Sequence, residues 1–328
     1  FLAISAVVAL LGLVIHKVVG GRPALVLGGM LVLLWAAIPF GVARPALLGA
    51  VLLALVVAIT HMDRRPLWML PLLFWLWAAV HGTFAIGLGY LFLDALRRRS
   101  RKQVGGVVLS GIATALTAHG LGTWWILVQF WRSQGALDLI SEWGPPDFGN
   151  PFTLPFLLVI VGLVVAGARS QLRPEHLWIA VPFLSFGLLA ERNVWPAVIV
   201  LAPLAIRAWG GRPKRVRGSS NESAVANVAI AVMLVAVAAM GLARGAPLSE
   251  DRFPVAAATA ALDPGRVFSG SAVGGYLIYA EWPERRVFID DRAELYGEEG
   301  FRRFVDLRKG IDVERVFTEL GIEQALAQ

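Results

Sequence analysis

The sequence predicts an all-α polytopic membrane domain of about ten spans, residues 1–243, followed by a small extracytoplasmic α/β domain, residues 244–328. Three observations carry that expectation. Hydrophobic residues make up 57% of the 328 and charged residues 16%. Mean hydropathy is +0.67, whereas soluble domains are about half apolar and about a quarter charged. Apolar runs recur along the first three-quarters of the chain, separated by short basic loops. After Ala243 the runs shorten, and strand-like and helical patterns alternate.

A span takes about 20 apolar residues, fewer where the helix is short. Candidates cover residues 1–16, 23–40, 45–60, 67–80, 83–96, 104–118, 151–168, 176–190, 194–208 and 225–243. The run over 67–96 divides at His81-Gly82, because the basic loops on its two flanks then fall on one side. With that division, the loops near 17–22, 61–66, 97–102, 169–174 and 207–217 hold sixteen Lys and Arg. The opposite loops hold only Arg44, Arg132 and Arg192. The positive-inside bias makes the first set cytoplasmic and places the loop over 141–150 and the tail outside. The expected location is a bacterial plasma membrane, crossed many times.

The net charge of +7 follows the same division. Residues 1–243 carry 19 Lys and Arg against 8 Asp and Glu, or +11, and residues 244–328 carry 11 against 15, or −4. The excess positive charge sits in loops that set topology, which argues against nucleic acid as a partner. The absence of cysteine excludes thiol and disulfide chemistry. The five histidines have no short metal-binding spacing. The chain starts at Phe1 inside an apolar run and ends just after a strand-like run. It reads as a fragment lacking N-terminal spans, with a truncated C-terminal domain.

Between the sixth and seventh candidate spans, residues 121–140 read as an interfacial helix, with Trp124, Trp125 and Trp131 at headgroup level. In the tail, 253–262 reads as helix, 266–269 as strand and 272–280 as a short apolar element. Residues 286–290 read as a buried strand, 298–309 and 312–320 as helices, and 322–327 as a last strand. This order suggests a mainly parallel sheet.

Polar residues gather on the expected outer face. His81, at the end of an apolar run, is a candidate donor to a phosphate or a sugar hydroxyl, or a helix-end histidine bonded to its neighbours. His119-Gly120 falls on the same side. Glu142 and Asp147 are candidates for a general base or for ligands to a divalent cation, Mg²⁺ or Mn²⁺. Their alternative is a structural loop whose acids cap the next helix or face water. Arg192, within Glu191-Arg192-Asn193, has the planar fork that suits a phosphate, and could equally anchor the helix end. In the tail, Gly274, Gly275 and Tyr276 follow a strand. Their glycines could face an anion or simply allow close packing. Asp290, Arg292 and Tyr296 lie where a strand ends, which suits either a site or a salt bridge.

Several of these stretches together carry a resemblance. They are Trp77 to Gly82, Glu142-Trp143 followed by Pro145-Pro146-Asp147-Phe148, and Glu191-Arg192-Asn193. In the tail they are Gly274-Gly275-Tyr276-Leu277-Ile278-Tyr279, the run from Trp282 to Arg292, and Leu295-Tyr296-Gly297. From about residue 67 to the end, the chain resembles an uncharacterised family of bacterial polytopic proteins. That family is similar in layout to C-type-fold glycosyltransferases that use lipid-phosphate sugars. The resemblance implies a polyprenyl-phosphate sugar as donor, membrane lipid as surroundings and an active site on the outer face. Arg192, His81 and His119 would then hold the donor phosphate, and Glu142 would line the acceptor cleft. The Gly-Gly-Tyr stretch echoes a segment of oligosaccharyltransferase catalytic subunits. Their Trp-Trp-Asp motif is absent here, so acceptor recognition does not carry over. Such enzymes usually place a catalytic acid in the first outer loop; the fragment is expected to begin after that loop, so the resemblance names no base here.

Two other classes fit the composition. A transporter or flippase for lipid-linked cargo would place ionisable groups at mid-span, and here they gather at one face. A non-catalytic scaffold would present the tail, with the Glu142 loop silent.

Overall fold

The computed structural model describes residues 2–19, 22–40, 45–62, 65–132, 141–210, 265–290 and 293–326. The chain divides into two compact units, Phe1–Leu127 with Glu142–Arg244 and Val128–Ser141 with Gly245–Gln328.

The larger unit is helical. Its helices are α1 (Leu2–Val19), α2 (Pro23–Ala37), α3 (Pro45–His61), α4 (Leu70–Val80), α5 (Phe84–Arg98), α6 (Arg101–Thr114) and the first part of α7 (Gly122–Arg132), whose residues from Val128 on are grouped with the smaller unit. They continue as α8 (Leu154–Ala168), α9 (Leu177–Leu189), α10 (Val194–Ala205) and the short α11 (Arg207–Gly210). Prolines open α2, α3 and α8 within the first turn, where a missing N–H costs nothing.

By length and composition, the described residues contain two helices that could cross a membrane, Leu2–Val19 and Pro23–Phe40. Pro45–His61, Leu67–Val80, Leu154–Ala168 and Pro174–Leu189 are apolar but shorter. Among the described residues two helices reach membrane length, so the expected count of ten spans is not supported. Punctuation is the physical reason. Pro66 opens a 3₁₀ turn over Leu67–Met69, and His81 ends α4 in extended backbone at φ −161°. The expected run over 104–118 becomes a helix that stops at Thr114. A helix of 15 residues is only about 22 Å long, less than a hydrocarbon core of about 30 Å. The expected span over 225–243 and the expected helix over 253–262 lie outside the described residues.

Small residues let these helices approach closely. Trp77 is fully buried, stacked on Phe74 at 5.5 Å. Its ring occupies the space a Cβ would take at Gly87 of α5. Phe156 of α8 does the same at Gly187 of α9. The helix ends alternate accordingly. His61, Arg98, His176 and Leu204 line one cavity, so α3, α5 and α10 finish, and α9 begins, at the same end. The turns at 81–83 and 190–193 lie at the far ends of those helices.

The smaller unit holds a parallel three-stranded sheet in the order β2-β1-β3, from β1 (Gly265–Ser269), β2 (Arg285–Val287) and β3 (Ile322–Leu326). Helix α12 (Ser271–Glu281) links β1 to β2, and α13 (Ala293–Arg308) and α14 (Val313–Leu320) link β2 to β3. Successive strand residues face opposite sides. Val267 is buried with Val273 and Leu277, whereas Phe268 meets the rings of Phe288, Phe304 and Phe317 at 5.5–5.9 Å. Both faces are thus covered, as a parallel sheet requires. The second strand is shorter than expected, and the apolar stretch over 272–280 is a helix.

Candidate functional site

The Glu142 loop and the Glu191–Asn193 turn are built into one another. The loop leaves a 3₁₀ turn over Ser141–Trp143, and Pro145 and Pro146 then hold it extended. The Glu191 N–H donates to the Gly144 carbonyl at 2.8 Å, and the Asn150 amide donates to Glu191 Oε1 at 3.2 Å. Asn193 donates to the Phe186 carbonyl at 2.9 Å, satisfying an acceptor that the end of α9 leaves without an intrahelical partner. Between these ties, the Arg192 guanidinium lies over the Trp143 ring, 4.1 Å from its centroid. Stacking of this kind fixes the plane of the fork.

The two acids differ. Glu142 is exposed on the turn that carries Trp143. Asp147 is exposed too, but its Oδ1 accepts the Gly149 N–H at 2.8 Å, a local turn bond. Thr153 donates to the Asp147 carbonyl at 2.6 Å, so the neighbourhood of Asp147 serves the entry into α8. Among the described residues no three His, Asp or Glu side chains converge.

His81 and His119 belong to the neighbouring helix pair. His81 Nδ1 accepts from the Thr83 N–H at 3.2 Å and lies 3.0 Å from Thr83 Oγ1. That hydroxyl also accepts from Trp77 Nε1 at 3.0 Å. His119 is exposed on the turn that leads into α7. Trp75 Nε1 donates to the Leu116 carbonyl at 3.1 Å, and Trp124 Nε1 donates to Thr114 Oγ1 at 2.9 Å. These bonds tie the turn after α6 to α4 and α7.

In the smaller unit, a Cβ on Gly274 would overlap the Ile289 carbonyl, whereas nothing lies within 4 Å of that position on Gly275. Close packing therefore explains the first glycine and not the second. Tyr276 packs partly buried against the Val267 cluster. Asp290 is buried three residues beyond β2, and Tyr296 precedes a break in α13 at Gly297, φ 65°. Arg292 lies outside the described residues.

A second polar group, absent from the sequence expectations, sits at the opposite helix ends. Asp94 of α5 is fully buried. It accepts from Arg97 Nε at 2.9 Å, Arg98 Nε at 2.8 Å and Gln103 Nε2 at 2.6 Å. Arg98 also donates to the Thr60 carbonyl at 2.9 Å. Thr60 donates to the Val57 carbonyl at 2.8 Å, so the Tyr90 hydroxyl donates to Thr60 Oγ1 at 2.7 Å. His61 Nδ1–H donates to the same Val57 carbonyl at 2.8 Å, which fixes its tautomer. His176 Nδ1 accepts the Arg173 N–H at 3.1 Å. These groups border a cavity of about 290 Å³, completed by Arg207 and Glu175. Beside it, burial and then the neighbouring Arg98 charge hold the Arg65 guanidinium below its ordinary value. One sequence signal pointed here. Asp94 is the only charged residue in the apolar run over 83–96, and such residues are costly unless they have partners.

Compared with protein-family models, with curated proteins and with solved structures, the chain matches none.

Proposed function

We propose that this chain is a polytopic membrane glycosyltransferase, moving a sugar from a polyprenyl-phosphate donor to an acceptor at the face of the Glu142 loop. The observation that carries the reading is Arg192, stacked on Trp143 within a loop and turn that are bonded to each other. A membrane setting is supported by large apolar side chains on the outside of the helices, such as Leu13 at 71% and Val164 at 66% exposure. The shorter helices can lie at membrane depth where neighbouring protein satisfies their ends.

In this mechanism the Arg192 fork holds the donor phosphate. Negative charge grows on that phosphate as the bond from the anomeric carbon to the phosphate oxygen breaks, and a preoriented guanidinium stabilises it. Glu142 takes the proton from the acceptor hydroxyl as its oxygen bonds to the anomeric carbon. Polyprenyl phosphate is the leaving group. His81, with its Nδ1 on Thr83, is a second candidate donor to the phosphate. Exposed Trp125 and partly exposed Trp124 on α7 suit the headgroup level.

Native mass spectrometry of the purified protein, wild type beside Arg192→Ala, tests this reading. The expected result is a retained polyprenyl-phosphate sugar in the wild type and its loss in the variant. Bulk phospholipid alone in both would overturn it and favour a scaffold. A lipid-linked cargo carried equally by both proteins would favour a transporter.

A further inference from the structure

We propose that the cavity between the ends of α3, α5 and α10 and the start of α9 is an anion site that takes a phosphate group. It is distinct from the Arg192 site and stands independently of the transferase reading. Arg97, Arg98, Arg173 and Arg207 reach it from three separate segments of the chain. The carboxylates set against them are Asp94 and Glu175. Asp94 is already committed to Arg97, Arg98 and Gln103, so it orients two guanidiniums rather than cancelling all four. Glu175 stands at the rim, 3.6 Å from Arg173, with its side chain 41% exposed. Four arginines against two carboxylates leave two positive charges around a space of about 290 Å³.

Arg207 sharpens the case. Its Nε is buried and has no hydrogen-bond partner among the described residues, and a buried donor left without an acceptor is costly. The two histidines at the cavity contribute no acceptor on Nδ1. That of His61 is a donor already spent on Val57, and that of His176 is occupied by Arg173. What is missing is an acceptor with two charges and oxygens pointing in several directions. A phosphate supplies both, whereas a planar carboxylate satisfies one guanidinium fork. A space of this size admits a phosphate monoester or a diphosphate with little else. The phosphate could belong to a lipid headgroup at the basic face or to a free solute.

Titration calorimetry of inorganic pyrophosphate into the purified protein in uncharged detergent tests the site. Saturable binding is expected, weakened about tenfold or more in Arg207→Gln and in Arg173→Gln, as for one lost charge-assisted hydrogen bond. Lys102→Gln, which removes an exposed cation outside the cavity, should leave the affinity unchanged. The Arg173 side chain is 77% exposed, so its variant carries the test even if Arg207→Gln fails to fold. If pyrophosphate does not bind, the same variants are compared in nanodiscs containing phosphatidic acid. Binding there that Arg173→Gln weakens assigns the site to a lipid phosphate. No binding to either probe overturns the proposal, as does binding that Arg173→Gln leaves intact or Lys102→Gln weakens equally.

Discussion

Asp94 shows how one residue organises the basic end of the larger unit. Its carboxylate is fully buried and gathers Arg97, Arg98 and Gln103. Removing one partner of a buried ion pair costs more than the pair contributes, because the remaining charge is left uncompensated. Asp94→Asn should therefore destabilise the protein by about 3–5 kcal/mol, read as a lower midpoint in thermal unfolding of the detergent-solubilised protein. An unchanged midpoint would mean that the two arginines find other acceptors. Legibility at this scale was uneven. The positions of Glu142 and Arg192 could be chosen from their residue types, since acids and arginines are scarce between apolar runs. Whether an acid serves chemistry or its own turn depends on which N–H lies beside it, and Asp147 with Gly149 shows that this is a matter of geometry.

At the scale of elements, the glycines of α5 distinguish packing from propensity. Gly87 faces Trp77 so closely that a methyl group there would overlap the ring, whereas a methyl on Gly89 would meet nothing within 4 Å. Gly87→Ala should cost about 1–3 kcal/mol as an overpacked contact. Gly89→Ala should add about 0.5–1 kcal/mol through helix propensity. Paired thermal melts check the sign, and two shifts in the same direction would contradict the packing shown for Trp77. The elements themselves were largely readable. The break at His81, the helix over 313–320 and the first and last strands fall where periodicity places them. Helix length was not readable from hydropathy. An apolar run says only that the residues can be buried, while prolines and helix-end turns decide how much of the run is one helix.

For the whole molecule, the proposal that matters most is the separation of two polar ends. The loop over 142–150 and the turn over 190–193 lie at the ends of the helices away from His61, Arg97 and His176. If the larger unit crosses a membrane, the two ends face opposite compartments. The sequence contains no cysteine, so Asp147→Cys and Lys102→Cys, both at exposed positions, give single labelling sites without background. An impermeant maleimide should label the first from the outside of intact cells and the second only in inverted vesicles. Labelling of both from one side would overturn the topology and the outer placement of the transferase site.

Composition and periodicity were sufficient to indicate a mostly helical, apolar chain with a small, mainly parallel α/β part near its end, because burial and strand alternation are local, repetitive properties. They also marked the loop and turn around Glu142 and Arg192 as unusual, because charge among apolar runs is visible one residue at a time. Only the tertiary structure decided that Arg192 stacks on Trp143, that Gly274 is needed by the Ile289 carbonyl, and that arginines 110 positions apart in the chain, Arg97 and Arg207, border one cavity. Such juxtapositions depend on how helices of particular lengths turn back on one another, and loop closure constrains distant pairs too weakly for sequence spacing to reveal them.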